Sequence, residues 1–254
     1  MSEHYIEFRG VSKAFDEREV LRDVSFFVDR GETLVILGRS GVGKSVTLKH
    51  ILGFLKPDAG NVLIEGQDIT EWSEEQLAEM RRQITMVFQS GALFDSLTVA
   101  ENVAFPLETR DDVTPEETDA RVRELLDTLE VAEFADKLPS ELSTGAKRAV
   151  AIARALAQEP EAILYDEPTT MVDPLMAGHI GGLIAKLKEK LRRTSVVVTH
   201  DTHLARRLAD RIVFLDEGRV AFFGTWREFE ASSISLLRNF RLQDELIPAL
   251  DVTG

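Results

Sequence analysis

Gly38-Arg39-Ser40-Gly41-Val42-Gly43-Lys44-Ser45 is the stretch whose reading decides the fold. It fits G-x-x-x-x-G-K-[ST], follows the continuous β-rich run Thr33–Leu37, and opens a helix predicted from Ser45 to Leu52. Glycines let such a loop curl until successive backbone N–H groups point inward at phosphate oxygens, and the helix N-terminus adds partial positive charge. In this pattern Lys44 reaches the β- and γ-phosphates and the Ser45 hydroxyl ligates Mg²⁺. Arg39, Ser40, Gly41, Gly43 and Val46 complete the expected nucleotide-binding stretch. A phosphate cradle alone leaves kinase, GTPase and ATPase chemistry open.

Working outward, short apolar runs alternate with longer helical patterns, which predicts a parallel or mixed sheet covered by helices. The expected strands are Tyr5–Phe8, Val20–Val28, Thr33–Leu37, Asn61–Ile64, Ile84–Phe88, Ala162–Tyr165, Ser195–Thr199, Arg211–Leu215 and Arg219–Phe223. Asp216-Glu217-Gly218 reads as a hairpin turn. From about Leu97 to Ala157 strand signals fade. Pro115 follows Thr114 as a cap, and Val122, Leu125, Leu126 and Leu129 recur at helical spacing. A second helix is expected from about Gly145 to Ala157, stopped before Pro160. This middle part reads as a helical insertion within residues 1–231, and 232–254 as a helical C-terminal extension with an acidic-apolar tail.

Composition removes whole classes of function. The 254 residues carry 30 Lys+Arg against 44 Asp+Glu, a formal charge of -14, which argues against nucleic-acid binding. Cysteine is absent, so thiolate metal sites, disulfides and cysteine nucleophiles are excluded. The N-terminal MSEHYIEFRGVSK has early charges and no apolar core of a signal peptide, and no run reaches the roughly 18 apolar residues of a membrane span. Any membrane role is therefore expected to come through a partner.

A phosphate cradle needs a carboxylate near the metal. Ala162-Ile163-Leu164-Tyr165-Asp166-Glu167 supplies an apolar strand ending in two acids, Asp166 to hold Mg²⁺ and Glu167 to polarise attacking water as general base. His200 and His203 share one face at i, i+3, but no third metal ligand accompanies them. The distinguishing element is Leu142-Ser143-Thr144-Gly145-Ala146 at a helix start ahead of the acid pair.

The order of cradle, Gln89 after a strand, Leu-Ser-x-Gly, acid pair and His200 after a strand resembles the ATP-binding subunit of ABC transporters, from about Ile6 to Phe223. The resemblance implies an α/β fold of the P-loop NTPase, RecA-like type: a mixed sheet core, an N-terminal antiparallel β subdomain and an inserted α-helical subdomain at about 97–157. It implies a Mg²⁺-dependent ATPase in which Phe15 stacks on adenine and Gln89 contacts Mg²⁺ or the water while sensing the transporter subunit. It implies that His200 contacts the γ-phosphate and that Lys44 and His200 stabilise transferred charge. Ser143 and Gly145 would contact the γ-phosphate held by a second copy, and Asp173 would lie on the loop communicating across that homodimer. Integral-membrane permease subunits would hold the pair at the cytoplasmic face of the inner membrane.

Thr144 and Ala146 depart from the usual Leu-Ser-Gly-Gly-Gln, and Met171-Val172 is unusual before Asp173; these put turnover in question more than binding. Gly43–Ile51 and Phe88–Leu107 look like the ATPases of MCE-associated, Mla-type phospholipid transporters. That finer resemblance implies an MCE-domain protein and a STAS-domain regulator as partners. Another ABC importer or exporter for small solutes, and a weakly hydrolysing regulatory subunit, are the alternatives.

Overall fold

A computed structural model of the protein describes residues 4–108, 110 and 112–246. The strands are β1 (His4–Phe15), β2 (Arg18–Asp29), β3 (Thr33–Leu37), β4 (Ala59–Ile64), β5 (Gln67–Asp68), β6 (Ile84–Val87), β7 (Ala162–Asp166), β8 (Thr194–Thr199), β9 (Arg211–Asp216) and β10 (Arg219–Thr225). The helices are α1 (Lys44–Ile51), α2 (Glu74–Gln83), α3 (Val99–Glu108), α4 (Pro115–Thr128), α5 (Thr144–Ala157), α6 (Pro174–Leu191), α7 (Thr202–Leu208), α8 (Trp226–Ala231) and α9 (Ser235–Leu246). The chain divides into two compact units, one formed by the residues up to Trp72 and from Val196 onward, the other by Ser73–Ser195.

In the first unit, β2, β1, β4 and β5 form an antiparallel sheet. Alternation along β2 buries Val24, Phe26 and Val28 on one face, and Phe26 stacks on its cross-strand partner Phe8 at 4.5 Å. β1 runs on past Phe8 to Phe15, with register shifts after Phe8 that obscure its alternation. β3 is buried at all five positions, as its unbroken apolar run predicts; it lies parallel to β9, and β9 is antiparallel to β10. The β9–β10 turn has Glu217 and Gly218 both at positive φ, the mirror-image turn that matches strand twist. α9 buries Leu237 and sets Phe240 edge-on to Phe214 of β9 at 4.9 Å. The expected tail at 247–254 lies outside the described residues.

In the second unit, β6 and β7 pair in parallel and helices fill the rest. α4 starts where Thr114 predicts, with a reciprocal cap between Thr114 and Glu117 and Pro115 at its first position; Val122, Leu125 and Leu126 are buried. α5 is buried almost continuously from Arg148 to Ala157, since small alanines let neighbouring chain approach on several sides. α2, not among the elements expected above, opens on a capping box, Ser73 with Gln76, ahead of the buried pair Leu77 and Met80. The strand expected at Ile84–Phe88 stops at Val87, because the Phe88 carbonyl accepts from the Arg148 guanidinium at 2.9 Å instead of continuing a ladder.

Candidate nucleotide site

The residues picked out by sequence fall into two groups, one in each unit. The first unit holds Phe15, the 38–46 loop and His200; the second holds Gln89, Ser143, Gly145, Asp166, Glu167 and Asp173.

The 38–46 stretch is the loop from the end of β3 to the Gly43 N-cap, followed by the first turn of α1 with Lys44, Ser45 and Val46. Gly43 is the N-cap of α1 at φ 108°, a conformation closed to most side chains, and a Cβ there would meet Leu21 Cδ2 at 2.7 Å. Gly38 is equally constrained: a Cβ would sit 2.5 Å from the Leu215 carbonyl oxygen. No side chain caps α1, so its opening turn keeps the electropositive character that suits a phosphate. Lys44 is 5% exposed and donates to the carbonyls of Gly38 at 2.8 Å and Arg39 at 3.2 Å, drawing its ammonium back across the loop. Beside the loop lies a cavity of about 510 Å³ whose lining carries both signs of charge, Arg18, Arg22 and Arg39 against Glu19, Asp216 and Glu217. The donor set that fits a polyphosphate is the glycine-built loop itself, with the backbone N–H groups of the uncapped α1 start and the Lys44 ammonium. Phe15 ends β1 and is 41% exposed as a residue, with the Lys13 ammonium 5.7 Å from its ring centroid. His200 is exposed just beyond β8, where Asp201 caps α7 by accepting from the Leu204 N–H at 2.9 Å.

In the second unit the acids close β7. Asp166 and Glu167 are each 8% exposed, and Glu167 takes a left-handed backbone, φ 47°, at a non-glycine position. Thr170 holds it there, donating its hydroxyl to Glu167 Oε2 at 3.1 Å and its N–H to the Glu167 carbonyl at 3.2 Å. Paired carboxylates at one strand end, one of them oriented by a hydroxyl, suit a hydrated divalent cation and a water-polarising base. Gln89 is exposed two residues beyond β6.

Ser143 and Asp173 share a role that their sequence neighbourhoods only hint at: both are helix N-caps. Ser143 Oγ accepts from the Ala146 N–H at 3.2 Å, and Asp173 Oδ1 accepts from the Met176 N–H at 3.0 Å. The two caps belong to adjacent helix starts, because Met176 packs directly on Gly145, where a Cβ would meet Met176 Cγ at 2.3 Å. Thr144 sits at the first helical position with its side chain exposed, so the β-branch enters α5 without a clash.

Arg148 was not among the residues picked out. It is 4% exposed and donates to the carbonyls of Phe88 and Gln89 through Nη1 and of Thr170 through Nη2. One buried guanidinium thus fastens the segment carrying Gln89 and the segment following Glu167 to α5. Burial pulls it below the usual arginine range, and the charge of Asp166 opposes that pull. A cationic residue at the fifth position of an alanine-rich helix was the available signal. Among the described residues no group of three or more His, Cys, Asp and Glu side chains could hold a metal by themselves, so the His200–His203 pair gathers no further ligands.

The family described as "ABC transporter" matches this chain over residues 21–170. The methionine import ATP-binding protein MetN of Brucella abortus is 40% identical over 225 residues, covering 88% of this chain and 61% of the relative. The spermidine/putrescine import ATP-binding protein PotA of Thermotoga maritima is 38% identical over 231 residues, covering 91% of this chain and 61% of the relative. The chain therefore spans about three fifths of the length of these relatives. A solved structure, the ATP-binding cassette MJ0796 in a dimeric post-hydrolysis state bound to ADP and Pi, superposes with a TM-score of 0.79 at 36% identity over 87% of this chain and 98% of that one.

Proposed function

Because the chain belongs to the ABC transporter family, matched over residues 21–170, we propose that it is the Mg²⁺-dependent, ATP-hydrolysing subunit that powers a membrane transporter. The observation that carries the reading is the 38–46 loop: glycines held in conformations closed to side chains, an α1 N-terminus with no side-chain cap, and a buried Lys44 drawn across it. Bound Mg²⁺ would neutralise phosphate charge, with Ser45, Asp166 and Gln89 as the residues to hold it. Lys44 and His200 bind and stabilise the charge of the transferred phosphoryl group, Phe15 stacks on the base, and Arg39, Ser40, Gly41, Gly43 and Val46 line the phosphates. Glu167, oriented by Thr170, holds the attacking water and takes its proton. Ser143, Gly145 and Asp173 serve a second copy of the chain in a homodimer, a reading supported by the dimeric cassette it resembles. Among the described residues no helix is long and apolar enough to cross a membrane. Membership of the transporter family supports contact with the bilayer through permease subunits, on the cytoplasmic face of the inner membrane.

Relatives named for methionine and spermidine/putrescine import support a small-solute importer as the transporter served. Phospholipid transport with MCE-domain and STAS-domain partners rests on the resemblance of 43–51 and 88–107 alone. In the second stretch, Phe94 and Phe105 are 43% and 39% exposed with ring centroids 4.6 Å apart, and Asn102 braces the Phe94 backbone from beneath; this supports a docking surface for a permease segment of either type. The test is to purify the chain with its membrane subunit, measure phosphate release, and identify copurified ligand by mass spectrometry. Hydrolysis with a bound amino acid or polyamine supports the importer, hydrolysis with bound phospholipid supports the lipid reading, and absence of hydrolysis by the complex overturns the ATPase assignment.

A further inference from the structure

Phe15 stands at the end of β1, just past an irregular stretch of the β1–β2 ladder. The β1–β2 register shifts between Val11 and Lys13 and again between Lys13 and Ala14, just before the ring. The ladder is irregular from Val11 to Ala14 and regular again only at Ala14–Glu19 and Phe15–Arg18, the last pairs before the turn into β2. The irregular stretch is also held from outside the hairpin, by Asp58 immediately before β4. Asp58 Oδ1 takes the Lys13 ammonium at 2.7 Å, Oδ2 accepts from the Ala14 N–H at 2.7 Å, and the Asp58 N–H donates to the Ser12 carbonyl at 2.9 Å. Three consecutive residues before Phe15 are thereby held by one aspartate. The Lys13 side chain is only 16% exposed, and its ammonium, drawn to Asp58, also lies against the Phe15 ring. The Lys13 hydrogen bond and the Ala14 N–H draw the Asp58 carboxyl below the usual aspartate range, so it stays charged at neutral pH.

We propose that Asp58 is a positioning residue for base recognition: by gripping Ser12, Lys13 and Ala14 it sets the angle and mobility of Phe15, and so tunes affinity for the nucleoside without touching the phosphate cradle. The inference rests on the reading of Phe15 as the base-stacking ring. Asp58 reaches no residue of the 38–46 loop through its hydrogen bonds, which separates its effect from phosphate binding.

The experiment compares Mg·ATP and inorganic tripolyphosphate binding by calorimetry on the full chain, for the parent and for Phe15→Ala, Asp58→Ala, Asp58→Asn and Lys13→Met. Tripolyphosphate carries the phosphate charge and no base, so a change in fold alone moves both ligands together. Asp58→Ala is expected to weaken ATP binding by about threefold to tenfold and leave tripolyphosphate affinity unchanged, with Asp58→Asn and Lys13→Met falling between it and the parent. Phe15→Ala selectively weakening ATP while Asp58→Ala does not, or Asp58→Ala weakening both ligands equally, overturns the role of Asp58. Phe15→Ala failing to separate the two ligands overturns the base-stacking reading itself. Thermal midpoints within a few degrees of the parent identify the variants on which the comparison stands.

Discussion

The loop after β3 and the turn after β7 both present charged groups at a strand end, yet they are built by different means. The 38–46 loop is made by backbone: glycines at conformations forbidden to other residues, an α1 start with no side-chain cap, and a lysine tied to carbonyls of its own loop. The β7 end is held by side chains, one of them local and others from α5 and α6. Thr170 orients Glu167, Arg148 ties down the following segment, and Met176 fills the space that Gly145 leaves. On the proposed reading the first region serves binding and the second turnover, so substitutions in each should move different quantities.

The sharpest break of that comparison is Glu167→Gln. Removing the base should lower phosphate release by about 10²- to 10⁴-fold while ATP affinity, measured by calorimetry, holds. Lys44→Ala reverses the pattern: loss of charge-assisted bonds to phosphate should weaken ATP binding by about tenfold to a hundredfold, seen directly in the binding isotherm. Arg148→Met leaves the phosphate loop alone but strips donors from the carbonyls of Phe88, Gln89 and Thr170, so it should destabilise the chain by about 2 kcal/mol in urea unfolding and lower turnover more than affinity. Arg148→Lys, which keeps charge but loses the forked geometry, should recover only part of the loss.

The contrast also explains how far the sequence could be read. Phosphate-loop glycines, the unbroken apolar run of β3, the Glu217-Gly218 turn and the Thr114-Pro115 helix start are local effects, and each is written in adjacent residues. β1 was legible only to Phe8, because bulges beyond it break the two-residue period. The end of β6 was misplaced by one residue because what stops it, Arg148, lies 60 positions away in the chain. The left-handed backbone at Glu167 and the packing of Met176 on Gly145 have no local signature at all. Motif order identified the residues of the second region, but only the fold shows what holds them.

The smallest expected effect is one of pH on the helix beneath the cradle. His50 is 1% exposed, with Nδ1 on the Val46 carbonyl at 2.8 Å and no hydrogen-bond partner for Nε2. Burial pushes its pKa below the ordinary value of 6.5; Lys13 adds to that shift and Asp58 opposes it. With the folded pKa depressed, the unfolded chain binds the proton first, so stability is greatest above about pH 6.5 and declines as pH falls from there toward the folded pKa. Thermal midpoints of the parent should show this slope, and His50→Gln should flatten it without altering ATP affinity at pH 7.5.

The most direct test of the account is to measure ATP binding and steady-state phosphate release on the same preparations of the parent, Lys44→Ala and Glu167→Gln, each assembled with the membrane subunit. The account predicts a crossed result: weakened binding in Lys44→Ala, and full binding with release at background in Glu167→Gln. Parental rates of release in Glu167→Gln, or parental affinity in Lys44→Ala, would contradict it.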